Sequence, residues 1–501
     1  MMDGVIAALS PMSVLFATCG VVFGIIFGAI PGLTATFGIA LLIPVTFLME
    51  PVHGMIMLAG IYAGSIYGGS ISAILLNIPG TPASIVTGWE GNAMARQGKA
   101  PLALGLSAVS SGVGGLISAL ALMFLTPLLA QLALRFGAPE YVALVIFSLV
   151  IVVVMLDTPV LANLTGVFLG LIIAAIGIDP VQGTARFTFG FYQLYSGINI
   201  VAVLVGFFCL PQAIVLAAES IGGATQSTVG RIGASQPGLV ARIVASNRWN
   251  VLRSSVLGTF LGILPAVGPE STPLVAHTME RKLSKRPDEF GKGSEAGLIS
   301  AESSVSANVG GSLIPLLALG IPGSGAAAVF VGALTLHGLQ PGPLLFTSRP
   351  DVMYTFFTGF VIVNLLMMVI GLFGARYLAV FLGVSKSVIA TFVAFFSIFG
   401  AFAVNSNLFD VWVMFASALL AIGVGTVGIP ILPIVLAFIL GGVLEQNVGI
   451  ATARADGLGY FLGRPIALGL VAVTLAIVAA AVWRAVIGSR ARREAADIVA
   501  D

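Results

Sequence analysis

The sequence predicts an all-α polytopic membrane protein built from two inverted-topology repeats, with broken helices or re-entrant hairpins and about 10–13 transmembrane segments. Three observations carry this expectation. Hydrophobic residues fill 58% of the 501 positions and charged residues only 8%, against roughly 25% charged in a soluble domain. Apolar runs long enough for a hydrocarbon core about 30 Å thick recur from end to end. Two sets of Gly-Pro motifs in the first half return in the second, as an internal repeat requires.

In chain order the apolar runs fall at residues 4–30, 33–49, 54–78, 102–134, 141–156, 160–178 and 198–218. The second half adds 254–275, 298–319, 326–336, 352–384, 388–404, 411–429, 432–443 and 466–487. Such runs form helices because lipid offers no water to satisfy a free amide or carbonyl. Asp3 is the only charge before the first run, so 4–30 reads as a retained membrane segment and not a signal peptide. The chain then divides into a membrane repeat at 1–218, a cytoplasmic linker at 219–253 and a second repeat at 254–450. Residues 451–501 follow as a C-terminal transmembrane helix with a basic cytoplasmic tail. Arg231, Arg242, Arg248 and Arg253 mark the linker; Arg490, Arg492 and Arg493 mark the tail, placed inside by the positive-inside bias.

The repeat is legible residue by residue. Gly28-Ala29-Ile30-Pro31 returns as Gly262-Ile263-Leu264-Pro265, an offset of 234 between the prolines. Gly68-Gly69-Ser70 with AILLNIPG at 73–80 returns as Gly310-Gly311-Ser312 with PLLALGIPG at 315–323, and Pro79 to Pro322 is an offset of 243. The second copy thus holds nine more residues between its motifs, near the basic loop. Residues 47–59 contain no Lys or Arg, whereas 281–292 contain five; conversely Arg96 and Lys99 follow the first IPG and have no basic counterpart at 337–342. Equivalent loops therefore prefer opposite membrane faces, the plan of inverted-repeat secondary transporters. Arg253 and Arg281 both prefer the cytoplasm, yet Pro265, Pro269 and Pro273 interrupt the stretch between them. A hairpin entering and leaving on one side fits this better than a broken helix that crosses, which is the rival.

Interrupted helices at membrane depth are tolerated only where the freed backbone lines a cavity or meets protein. Pro31, Gly32, Thr34 and Thr36 at the first break, with Gly268, Ser271 and Thr272 at its counterpart, are candidate substrate contacts. Asn77, Gly80 and Thr81, matched by Gly323 and Ser324, form a second symmetric set. Free amides and hydroxyls at half-helix N-termini attract an anion, and carbonyls at the opposite ends suit Na⁺. The plainer alternative is that these glycines only let helices pack closely. Acidic residues inside apolar runs are the other signal, being costly in lipid. Glu270 and Glu302 lie beside the repeat motifs and are the first candidates for proton or cation coupling, joined by Ser306 and Asn308. Asp157 reads as a helix end, and Asp410, Glu445, Asn405, Asn407 and Asn447 are compatible with packing or site lining.

Composition also narrows the partners. A net charge of +2 gives no polyanion surface, so no nucleic-acid partner is expected. Cys19 and Cys209, with His53, His277 and His337 scattered, offer no metal spacing and no catalytic order, so neither metal, cofactor nor enzymatic activity is expected. A channel would need a continuous polar lining, which so few charges do not supply.

At these motifs the sequence resembles the large membrane subunit of the tripartite tricarboxylate transporters, the TctA type. The resemblance rests on GAIPGLTATFG from Gly28, the stretch GGSISAILLNIPGTPASIVTGWEGNAMARQGKAPLAL from Gly68, and GGSLIPLLALGIPGSGAAAVFVGALTLHGLQPGPLLF from Gly310, and it covers about residues 20–448. It implies a multi-pass permease of the bacterial inner membrane that works with a small four-helix membrane subunit and a periplasmic solute-binding protein. Such a permease imports citrate-like tricarboxylates on a Na⁺ or H⁺ gradient. One departure stands out: Glu302 is kept, but Val305 and Ser306 occupy the places where the family often has an asparagine pair. A dicarboxylate or aromatic carboxylate therefore stays open as substrate, and so does the choice between elevator-like and rocking movement.

Overall fold

The computed structural model describes residues 2–500 apart from 157, 222–232, 234, 266 and 454–457, and for 2, 3, 221, 458, 462 and 484–500 it describes the backbone alone. Asp157 and Arg231, and the side chains of Arg490, Arg492 and Arg493, fall outside the described residues. The protein is helical almost throughout. Ten helices among the described residues are long and apolar enough to cross a bilayer, the lower end of the expected range. The principal helices of the first half are α1 (Pro11–Ala29), α2 (Ala35–Thr46), α3 (Pro51–Leu76), α4 (Ala100–Ala133), α5 (Ala138–Met155), α6 (Val160–Ala174) and α7 (Ile200–Phe208). Those of the second are α8 (Arg248–Ile263), α9 (Thr272–Leu283), α10 (Glu295–Leu319), α11 (Gly325–Leu336), α12 (Pro350–Leu378), α13 (Lys386–Asn405), α14 (Leu408–Thr426), α15 (Ile431–Thr452) and α16 (Pro465–Ala500).

Two compact units emerge. One comprises Met1–Leu134 with Asn199–Gly423, the other Arg135–Ile198 with Val424–Asp501. Part of the expected linker is ordered helix: Pro237–Ser246 packs on α4, and α8 begins at Arg248.

In the first unit the Gly-Pro breaks make helical hairpins. At 1.5 Å per residue a 12-residue helix such as α2 or α9 extends only about 18 Å, too short for a hydrocarbon core of about 30 Å. Each instead returns to the end where its partner began. Phe27 of α1 meets Phe37 of α2 edge-on at 5.9 Å, and Phe16 of α1 packs on His53 of α3 at 5.5 Å. Thr46, the last residue of α2, lies against Gly54 near the start of that same α3. In the second hairpin Arg253 of α8 donates to the Glu280 carboxylate of α9 at 2.9 Å, across the open ends.

Glycine lets these helices approach to backbone contact. A Cβ at Gly28 of α1 would stand 2.0 Å from the Ser65 carbonyl oxygen of α3, and one at Gly258 of α8 would stand 2.1 Å from that of Ser304 in α10. The two IPG breaks repeat this geometry at the 243-residue offset. α3 ends on Asn77 at φ 58° and α10 on Gly320 at φ 77°, both left-handed. Gly80 then donates its amide to Gly69 and Gly323 to Ser312, at 3.3 and 3.4 Å.

Helices late in each half bed against the other half's helices. In the first unit α7 packs on α13, and Gly206 abuts the Met414 carbonyl of α14. In the second unit α15 packs on α5 and α6, with Gly170 against the Ile434 carbonyl, and α16 lies along α5. The second unit also holds a two-stranded ribbon that no apolar pattern announced, β1 (Gly177–Ile178) paired antiparallel with β2 (Ala185–Arg186). Its Arg186 bridges Asp179 at 3.4 Å and pairs with Glu445, so Glu445 serves to fasten the ribbon to α15.

Candidate functional site

Glu302 is fully buried in the first third of α10. Its carboxylate accepts three hydroxyl hydrogen bonds, all from elements of the first half. Ser70 of α3 and Thr87 donate to Oε1 at 2.6 and 2.5 Å, and Ser111 of α4 donates to Oε2 at 2.6 Å. No Lys, Arg or His among the described residues pairs with it. A carboxylate in such a place is costly to bury, and its neighbours offset that cost with hydroxyls alone.

A second cross-repeat link runs the other way. Tyr62 of α3, also fully buried, places its hydroxyl 2.7 Å from Ser324 Oγ and 3.1 Å from Ser312 Oγ at the second IPG break. Glu270 is exposed at the α8–α9 break and folds its carboxylate over Gly268.

The sequence-predicted residues divide by what holds them. Thr34 caps α2 by accepting from Phe37 N at 3.3 Å, and Ser324 caps α11 by accepting from Ala327 N at 3.1 Å. Gly80 and Gly323 are packing positions, since a Cβ would lie 2.1 Å from the Gly28 carbonyl oxygen or 2.3 Å from that of Gly262. Pro31 and Thr36 are half-buried, Gly32 is exposed at φ 94° beside Gln212, and Asn77 and Ser271 are exposed. Thr81 and Ser306 are buried with hydroxyl oxygens that have no partner among the described residues. Asn308 and Thr272 are buried and bonded to each other at 2.8 Å. The first IPG segment is therefore open at Asn77, Ile78 and Pro79, while Ile321, Pro322, Gly323 and Ser324 are closed. Asp410 lies apart from this site, accepting from Asn199 and Asn405 at 3.0 and 2.8 Å where α7 meets the α13–α14 turn.

Sequence reasoning passed over Tyr62, Ser70, Thr87 and Ser111. One signal for the last was available: Ser107, Ser111 and Ser118 recur at helical spacing along the apolar α4. It also passed over Glu90, which joins the halves outside the apolar spans. Glu90 Oε1 takes His277 Nε2 at 2.7 Å and Gly291 N at 2.6 Å, and Oε2 takes Gly293 N and Ser294 N at 3.0 and 2.8 Å. Burial works to raise its pKa, but these hydrogen bonds outweigh it and hold the carboxyl below its ordinary value of 4.5. Its stabilisation is thus complete above that ordinary value and lost as pH falls through the lowered folded one. Glu90→Gln is expected to cost on the order of 3 kcal/mol near neutral pH, since it leaves buried donors unmatched. The deficit should shrink in acid, as thermal unfolding against pH would read.

The long apolar helices, paired hairpins and backbone-tight glycine packing define a multi-pass membrane protein. The chain belongs to the TctA family: the model described as "Tripartite tricarboxylate transporter TctA family" matches residues 14–436. A curated relative from Agrobacterium vitis, an uncharacterized 52.8 kDa protein in the TAR-I ttuC' 3' region, is 35% identical over 484 residues, 94% of this chain and 93% of that protein. A second from the same organism, an uncharacterized protein in the TAR-II ttuC' 3' region, is 34% identical over 227 residues, 44% of this chain and 93% of that one. No solved structure matches.

Proposed function

We propose that the chain is the permease subunit of a tripartite carrier that imports citrate-like tricarboxylates across the bacterial inner membrane. It takes substrate from a periplasmic solute-binding protein, works beside a small four-helix membrane subunit, and is driven by a Na⁺ or H⁺ gradient. The protein moves its substrate and does not transform it. The observation that carries the reading is Glu302: an acidic group at the heart of an apolar bundle, beside paired helix breaks and gripped only by hydroxyls, is suited to gain and lose a positive charge.

Inverted topology of the repeats is part of the proposal, and helix directions support it. α4 and α12 follow the IPG segments of the two halves and run antiparallel, Gly112 abutting Met368 while Gly115 abuts Asn364. The open first IPG segment and the closed second one fit a carrier accessible from one side at a time.

The test is uptake of labelled citrate into cells expressing this chain with its small subunit and receptor. Uptake should require the receptor and collapse when the ion gradient is dissipated. Uptake that persists without the receptor, or with no gradient, would overturn the reading.

A further inference from the structure

We propose that the break between α8 and α9 holds a Na⁺ ion whose fixed ligand is the side-chain oxygen of Asn308. This deepens the carrier reading above, on which its role in coupling rests, and names the ion.

The argument begins with the amide's orientation. Asn308 Nδ2 donates to the Val267 carbonyl at 3.1 Å and to Thr272 Oγ1 at 2.8 Å. A carbonyl oxygen can only accept, so the nitrogen must face Val267 and the assignment of the amide is settled by chemistry. Thr272 Oγ1 donates onward to the Gly268 carbonyl at 3.1 Å, which closes the ring. Asn308 Oδ1 is thereby held in the break, fully buried, with no donor among the described residues to satisfy it. A buried acceptor without a donor is expensive, and a cation is what satisfies acceptors alone.

The surroundings favour a monovalent ion. α8 ends beside Asn308, with Gly262 packed on the Asn308 carbonyl, so the negative end of its dipole and its free terminal carbonyls face the break. Glu270 is the carboxylate that folds over Gly268 in this break. Among the described residues no group of three or more His, Cys, Asp or Glu gathers to suit a divalent or transition metal. Neutral oxygens with one carboxylate suit a small hard monovalent cation.

Ser65, 243 residues before Asn308, packs its carbonyl on Gly28 as Asn308 does on Gly262. Its side chain is a hydroxyl, which can donate as well as accept, so the acceptor-only oxygen belongs to the second half.

The experiment reads binding directly, apart from transport. The full-length protein in detergent is heated at constant ionic strength in NaCl, KCl or choline chloride. An ion that binds only the folded state raises the midpoint with its concentration. A rise specific to Na⁺ is expected, lost in Asn308→Ala. Thr272→Val, close in shape but unable to orient the amide, should raise the half-saturating Na⁺ concentration by about tenfold or more, and it serves where Asn308→Ala fails to fold. No Na⁺-specific rise in the unaltered protein, or an undiminished one in the folded variants, overturns the proposal. A Na⁺-specific rise without citrate uptake would keep the site and count against the carrier's assigned substrate.

Discussion

Glu302→Gln should abolish gradient-driven uptake while leaving the protein folded in the membrane. The side chain keeps its shape, but one carboxylate oxygen becomes an NH₂ that cannot accept from Ser70, Thr87 or Ser111, and the group can no longer carry charge. Each lost charge-assisted bond is worth about 1.5–3 kcal/mol, so a fall in initial rate of at least about a hundredfold is expected. Labelled-substrate uptake, normalised to the amount of chain in the membrane, checks this. Undiminished uptake with unchanged ion dependence would remove Glu302 from the coupling machinery. Glu302→Ala should do more, lowering thermal stability as well, because three buried hydroxyls lose their acceptor at once.

The second large effect concerns architecture. Gly80→Ala and Gly323→Ala should each prevent normal accumulation of folded protein. A methyl at either site meets a backbone carbonyl oxygen at 2.1 or 2.3 Å, and no side chain can rotate away to relieve it. The helix break would have to separate from α1 or α8, at about 3 kcal/mol or more. Gly442→Ala in α15 is the control, since nothing lies within 4 Å of its Cβ position, and its accumulation should match the unaltered chain. Size-exclusion profiles of detergent extracts would distinguish the three.

Much of the fold was legible in the sequence because lipid imposes one rule on every spanning segment. The long runs became helices, and the breaks at Pro31, Pro265, Pro79 and Pro322 became breaks. Of the candidate site, the sequence showed the acidic member and the motifs. Glu302 stood out because a carboxylate in an apolar run needs a reason. Its partners did not, since Ser70, Thr87 and Ser111 come from separate elements 232, 215 and 191 residues away. A serine in a membrane helix gives no hint of which way it faces. Glu90 was hidden for a related reason: it lay in an ordinary polar stretch, and only the fold shows that the backbone of Gly291, Gly293 and Ser294 wraps it. Gly28 and Gly80 were visible as repeated letters, whereas their role as backbone contacts required coordinates.

The bedding of α7 against α13 bears on how the protein is made. α7 ends at Phe208 and α13 begins at Lys386, so about 180 further residues must leave the ribosome before α7 finds its seat. At about 5–20 residues per second that is a delay of roughly 10–40 s. For that time an apolar helix sits in lipid beside partners that are not its own. Newly made chain must be kept from other membrane proteins until synthesis is nearly complete, and a truncated first half should be degraded soon after it is inserted.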